Sequence, residues 1–355
     1  MKRKKIYQIV LCAAFSLPFF TNCSKDETPI DPEPAVPSEY IYVLNNGNWG
    51  SNDASLTMYD IESGTVTKDV FALQNGRRLG DIGQDIVIYG SKMYITMSEE
   101  LTVEVTDLEA GSIKQIKTDG NPRYLAVYEG KVYVTYLNGY VARIDTTSLT
   151  VEAKVKVGRN PEQLTVVNRK IYVANSGGFD YNTEAGYDHT VSVIDIASFT
   201  EVKKIEVVIN PTEVESDDSG NVYVISKGNY YDIPNTLQQI NTATDAVTVV
   251  EGIDGTVFTT AGNMLYSVYA QWGAERVYYY AYNAVNHTVI SDNFIGSTPV
   301  SNPHQINYDA TYEHLFITTS DYLNDGDVYI FDKSNKFVNK FETGLNPMKA
   351  VYVKR

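Results

Sequence analysis

Short apolar runs rich in Val, Ile, Tyr and Thr alternate with clusters of Gly, Asn, Asp and Ser from residue 40 to the C-terminus, and no stretch sustains a helical period. That is strand-and-turn patterning. Lys131-Val132-Tyr133-Val134-Thr135, after Glu129-Gly130, and Lys170-Ile171-Tyr172-Val173, after Asn168-Arg169, show it best. Seven times an aromatic residue on one run is followed, 12 to 23 residues later, by an Asp or Asn that ends a second run. The pairs are Tyr42/Asp60, Tyr94/Asp107, Tyr133/Asp145, Tyr172/Asp195, Tyr223/Asn241, Tyr266/Asn283 and Phe316/Asp332. A short polar side chain at a strand end starts a turn by bonding the backbone two residues on. A period of roughly 40 to 50 residues marks a unit that buries its faces only against copies of itself.

Asn-Pro recurs at Asn121-Pro122, Asn160-Pro161, Asn210-Pro211, Asn302-Pro303 and Asn346-Pro347, and the unit without it enters at Asp254-Gly255. Proline cannot donate to a ladder, so it suits the first residue of a strand. Each unit then reads as four strands: an inner strand after Asn-Pro, the Tyr strand, the strand ending in Asp, and an outer strand such as Glu152 to Val157. The last Asn-Pro opens Met348 to Val353 with nothing after it, while the first unit, at Tyr40, lacks an inner strand. The pattern predicts an all-β, seven-bladed propeller of four-stranded blades, closed by pairing the N- and C-terminal strands in one blade, which removes exposed edges. Residues 40–355 form one domain in this reading, with roughly 45 residues per blade.

Residues 1–22 carry Lys2, Arg3, Lys4 and Lys5 before an apolar stretch from Ile9 to Phe20. This is the pattern of an export signal, too short for a membrane span. Cys23 follows at once and is expected to carry lipid, and residues 23–39 read as an acidic, Pro-rich tether. Its first part, Ser24-Lys25-Asp26-Glu27, resembles the acidic signal of surface-exposed lipoproteins. The expected location is the outer membrane, lipid-anchored and facing out. Cys12 lies inside the signal, so the mature chain forms no internal disulfide.

The net charge of -15 becomes -19 once the four positive charges of residues 1–22 are removed with no negative ones. That sign argues against a nucleic-acid partner, which needs a basic groove or stripe.

In a propeller, the loops leaving the Tyr strand gather at one mouth of the central channel with those entering the inner strand. Here that face collects both tryptophans and several of the 28 tyrosines. The loops hold Trp49, Tyr136, Phe179, Tyr181, Tyr187, Tyr230, Tyr231, Trp272 and Tyr322. Amphipathic rings at a wet surface suit a large, partly polar ligand. The binding site is expected to comprise Trp49, Tyr136, Tyr181, Tyr187, Tyr231 and Trp272, with Arg123, Gln163 and His304 beneath setting orientation. Arg78, Glu162, Thr212 and Gln305 add polar groups to the entry loops. Enzyme signals are poor. His189, His287, His304 and His314 have no metal-ligand spacing, and no Ser/His/Asp or Cys/His arrangement is legible. No catalytic residue and no cofactor are expected. Asp321, Asn324, Asp325 and Asp327 around Gly326 offer oxygen ligands for calcium but miss the EF-hand spacing.

The Asn-Pro entry, the strand Gly130-Lys131-Val132-Tyr133-Val134 and the turn Val193-Ile194-Asp195-Ile196 resemble the YncE-like family of seven-bladed propellers over nearly all of residues 40–355. With the lipoprotein start, tether and aromatic loops, the whole is similar to the BtuG type of surface lipoprotein. That resemblance implies capture of cobalamin or another corrinoid at the mouth, without chemistry, and hand-over to a TonB-dependent transporter of the BtuB type. A carbohydrate-binding lipoprotein is the alternative, because the same rings would stack on sugars. A propeller lyase using His304 as base and a protein-binding scaffold are the other readings.

Overall fold

Seven turns built on the repeated Asp or Asn set the period of the chain. In a computed structural model that describes residues 38–271 and 275–355, all seven side chains accept backbone N–H groups within their own turns. Asp60 accepts from Ser63, and Asp107 from Glu109 and Gly111. Asp145 accepts from Thr147 and Ser148, and Asp195 from Ser198. Asn241, Asn283 and Asp332 each accept two more.

The described residues form seven four-stranded antiparallel sheets. Blades 1 to 6 cover residues 83–117, 122–156, 161–206, 211–249, 257–291 and 303–345, and blade 7 joins Pro347–Lys354 to Glu39–Asn45, Ser55–Asp60 and Val66–Thr67. The repeated ring is the packing unit: Tyr42, Tyr94, Tyr133, Tyr172, Tyr223 and Phe316 are essentially fully buried. Such rings carry the largest apolar contribution of any side chain. One local departure from strand patterning is the six-residue helix Val70–Asn75. It is capped by Asp69 and ended by Gly76 at φ 65°, and buries only Phe71. Six residues are too few to leave a helical period in sequence.

Asn-Pro opens the inner strands at Pro122, Pro161, Pro211, Pro303 and Pro347. Four of these five asparagines sit at positive φ, a conformation Asn tolerates better than other non-glycine residues. The residue before the inner strand also latches its own blade. Its carbonyl accepts from the amide just past the Tyr strand in Ser98→Ile82, Leu137→Asn121, Ser176→Asn160, Lys227→Asn210, Ser320→Asn302 and Asn46→Asn346.

An inner strand leaves one edge unpaired toward the channel, and side chains of neighbouring blades fill that need. Asp85 of blade 1 accepts from the Leu125 N–H of blade 2 at 2.8 Å. Arg123 pairs with Glu162, and Gln163 accepts from the Val214 N–H. Glu213 and Glu215 accept from the N–H groups of Phe258 and Thr260, and Thr259 from that of Tyr308. Asn307 bonds both backbone groups of Ala350, and Lys349 returns to Asp85 at 2.9 Å. Every blade-to-blade step, including the one across the closure, therefore carries a polar link. The closure is the predicted one: Glu39–Asn45 pairs with Pro347–Lys354 from Glu39↔Lys354 to Asn45↔Pro347.

Candidate functional site: an aromatic mouth over a charged channel

The loops that follow the Tyr strands meet at one end of the channel, as the strand order requires. On them Trp49 is 77% exposed, Phe179 65%, Tyr181 62%, Tyr230 68% and Tyr231 94%. Two cavities share Phe179. One, of about 520 Å³, is lined by Trp49, Ile82, Asn121, Arg123, Leu137 and Phe179 among others. The other, of about 440 Å³, is lined by Phe179, Tyr181, Tyr187 and Tyr230 over Glu162, Asn210 and Thr212. Tyr181 and Tyr187 stack with centroids 6.3 Å apart. A third cavity on the same face, about 650 Å³, runs between blades 5 and 6 and is lined by Gln271, Arg276, Asn302, His304, Asp321 and Tyr322 among others.

The longest mouth loop is held by one cation. Arg159 donates through Nη1 to Asp180 at 2.9 Å and to the Gly186 carbonyl at 2.8 Å, and through Nη2 to the Ala185 carbonyl. Its own amide donates to Asp188. The loop carrying Phe179, Tyr181 and Tyr187 is thereby tied to the entry of blade 3. A strained residue lies beneath Trp49: Ile82 occupies the place of the entry asparagine at φ 59°, unfavourable for a β-branched side chain. Such outliers cluster at ligand sites.

Below the rings the channel is charged but paired. Arg123 donates to Glu162 and to Gln84, both at 2.8 Å. Lys227 lies 3.5 Å from Glu213 and also donates to the Thr256 carbonyl. Burial pushes the carboxyl groups of Glu213 and Glu215 up, Glu215 to about 7 despite donors from Thr259 and Thr260. Burial likewise lowers the pKa of His304, whose ring stands edge-on to Tyr322.

The structure sorts the residues expected at the site. Trp49, Tyr181, Tyr187 and His304 line mouth cavities, and Arg123 forms part of a floor. Tyr136 does not belong there: it is wholly buried, packed with Val132 and Val134 on one face of the strand Lys131–Tyr136. The strand runs one residue further than the loop boundary assumed from sequence, so strict alternation turns this ring inward. Gln163 is committed to the Val214 amide and acts as a blade-to-blade tie rather than as a group aimed at the mouth. Tyr231 is exposed on the mouth loop, and its neighbour Tyr230 is the ring that lines the cavity. Phe179 and Tyr230, not among the expected site residues, lie on the loops that sequence marked as aromatic. Trp272 and Cys23 lie outside the described residues. The acids considered for calcium are otherwise engaged: Asp321 caps Leu323 and Asn324, Asp325 pairs with Lys68, and Asp327 with Lys340. Among the described residues no group of three or more His, Cys, Asp or Glu side chains is placed to hold a metal ion. None of the described helices is long and apolar enough to cross a membrane.

Comparison with known proteins supports the architecture. A proposed 6-phosphogluconolactonase from Bacteroides fragilis is 12% identical with a TM-score of 0.62, over 91% of this chain and 100% of that one. Hydrazine synthase from Kuenenia stuttgartiensis is 16% identical with a TM-score of 0.58, over 81% of this chain and 89% of that one. The WD40 domain of Pan2 from Neurospora crassa is 11% identical with a TM-score of 0.54, over 75% and 80% respectively. At such identities the likeness is one of fold alone. No curated protein matches the sequence. Residues 39–336, nearly the whole propeller, match the pattern of one family, and the chain belongs to it: the family described as a domain of unknown function, DUF5074.

Proposed function

We propose that this protein captures a large, flat, partly polar ligand at the aromatic mouth and holds it without chemical turnover, and that the ligand is a corrinoid such as cobalamin. The observation that carries the reading is the run of exposed rings on one face, Trp49, Phe179, Tyr181 and Tyr230, over a polar floor of the half-buried Arg123 and the buried Glu162 and Asn210. Exposed rings that share cavities offer contact area at little rotamer entropy, and the fixed polar groups set orientation. A corrinoid has apolar faces and an amide-bearing edge, which is the complement of that surface. The likeness of the motifs and the lipoprotein-type start to cobalamin-capturing propellers points the same way. In this reading Cys23 carries the lipid anchor on the outer membrane, and the captured ligand passes to a TonB-dependent transporter. The tether raises the effective concentration of one partner at the other.

Isothermal calorimetry on one sample separates this from the sugar-binding alternative. Cobalamin is expected to give saturable heat, and Trp49→Ala to weaken it by about 2 kcal/mol, the threshold of an interface anchor. Saturable heat with a member of an oligosaccharide panel and none with cobalamin would overturn the corrinoid assignment, and product formation from either would make the protein an enzyme.

A further inference from the structure

His304, the second residue of the inner strand of blade 6, is held in a fixed tautomer. Its Nδ1 lies 3.1 Å from the Pro347 carbonyl, which can only accept, so Nδ1 carries the hydrogen. Burial disfavours the charged ring, and the neutral imidazole then has a bare lone pair on Nε2. No described residue bonds that nitrogen, and the ring lines the cavity of about 650 Å³ at the mouth. Tyr322, with its centroid 5.7 Å away and its ring at 82°, holds the imidazole from one side. An imidazole whose Nδ1–H is anchored on a carbonyl is oriented and made more basic at Nε2, the usual preparation for a bond to a metal.

Among the described residues this nitrogen belongs to no group of three or more His, Cys, Asp or Glu side chains that could hold a free ion. Asp321, the acid nearest in sequence on the same cavity, is occupied by the amides of Leu323 and Asn324. One nitrogen competes poorly with water for a bare cation, but it completes the coordination of a metal that arrives already held in a chelate with one exchangeable position. The exposed rings elsewhere on the mouth favour a flat chelate. We propose that Nε2 of His304 binds the cobalt of the captured corrinoid axially, an inference that rests on the capture reading above. In the step, one Co–N bond forms, the Co–O bond to an axial water breaks and the water leaves, with the oxidation state of cobalt unchanged.

The test uses aquocobalamin, whose axial water exchanges, and cyanocobalamin, whose cyanide resists exchange. Retention through gel filtration reports capture, and the visible spectrum of the retained corrinoid reports the axial ligand. The wild-type protein is expected to retain both and to move only the aquocobalamin spectrum, to that of an imidazole adduct. His304→Gln should retain both without the shift and bind aquocobalamin about tenfold more weakly, the scale of one lost ligand-supporting interaction. In His304→Ala, added imidazole should restore the shift. His314→Gln, at the far end of the same hairpin, where His314 bonds Tyr352, should behave as wild type. Retained aquocobalamin with an unshifted spectrum would overturn the inference while leaving capture standing, as would a shift that survives in His304→Gln. Failure of the wild type to retain either corrinoid overturns both, and the wild-type spectrum decides the matter alone if the variants do not fold.

Discussion

Asp85 ties blade 1 to both of its neighbours, including blade 7, in which the ring closes. It is 3% accessible and joins three blades: Oδ2 accepts from the Leu125 amide at 2.8 Å and Oδ1 from Lys349 at 2.9 Å, while Oδ1 also takes its neighbour's amide. Asp85→Ala leaves the Leu125 N–H without a partner in a dry place, at a cost of about 1–3 kcal/mol. The charge-assisted bond from Lys349 is also lost, about 1.5–3 kcal/mol where buried. Because the Lys349 side chain keeps 31% of its exposure, water recovers part of that, and about 3 kcal/mol is the expected total. In a domain of this size that lowers the melting temperature by about 6 °C, at about 2 °C per kcal/mol. Asp85→Asn, which keeps an acceptor for Leu125 but not the charge, should fall about halfway. Urea unfolding, followed by tryptophan fluorescence and repeated by circular dichroism to check cooperativity, measures both. If Asp85→Ala unfolds within about 0.5 kcal/mol of wild type, the range of an ordinary surface change, the cross-blade ties do not carry the closure.

Glu215 makes stability depend on pH in a definite direction. Its folded pKa is raised to about 7, so its contribution is fully present below the unfolded value near 4.5 and is lost as pH rises through 7, by up to about 3 kcal/mol. Glu215→Gln should therefore gain on wild type between pH 5 and 8 in parallel urea titrations, and a constant difference would show the carboxyl is not buried as described. Arg159→Ala should release the loop bearing Phe179, Tyr181 and Tyr187, giving faster hydrogen exchange over residues 177–188 and roughly tenfold weaker ligand binding with little change in global stability. Equal exchange in both proteins would refute the clamp. Cys23→Ala should move the protein from the membrane fraction to the soluble fraction of fractionated cells, and retention in the membrane would show another anchor.

The blade plan was legible because its determinants are local. The turn residue Asp107 sits within four positions of the amides it caps, and Tyr133 alternates with its neighbours on one short strand. Closure was legible from a missing inner strand at one end and a surplus one at the other. Tyr136 was misplaced although the signal was present: Val132, Val134 and Tyr136 share one strand face by a period of two. The duties of Gln163 and Arg123 were not legible, because their partners Val214 and Gln84 lie 51 and 39 residues away in neighbouring blades. Phe179 and Tyr230 lay on loops already marked as aromatic, but which rings of a loop turn toward a shared cavity depends on backbone conformation that composition does not encode. Tyr230, for instance, sits at φ 60°.

The central claim, capture at the aromatic mouth, is tested most directly by passing the protein over a gel-filtration column with excess cobalamin and comparing it with the Trp49→Ala/Phe179→Ala/Tyr230→Ala variant. These three rings are exposed, so the variant should fold and melt as wild type does. The account predicts one cobalamin co-eluting per wild-type protein and none with the variant. Equal retention by both, or none by either, would contradict it.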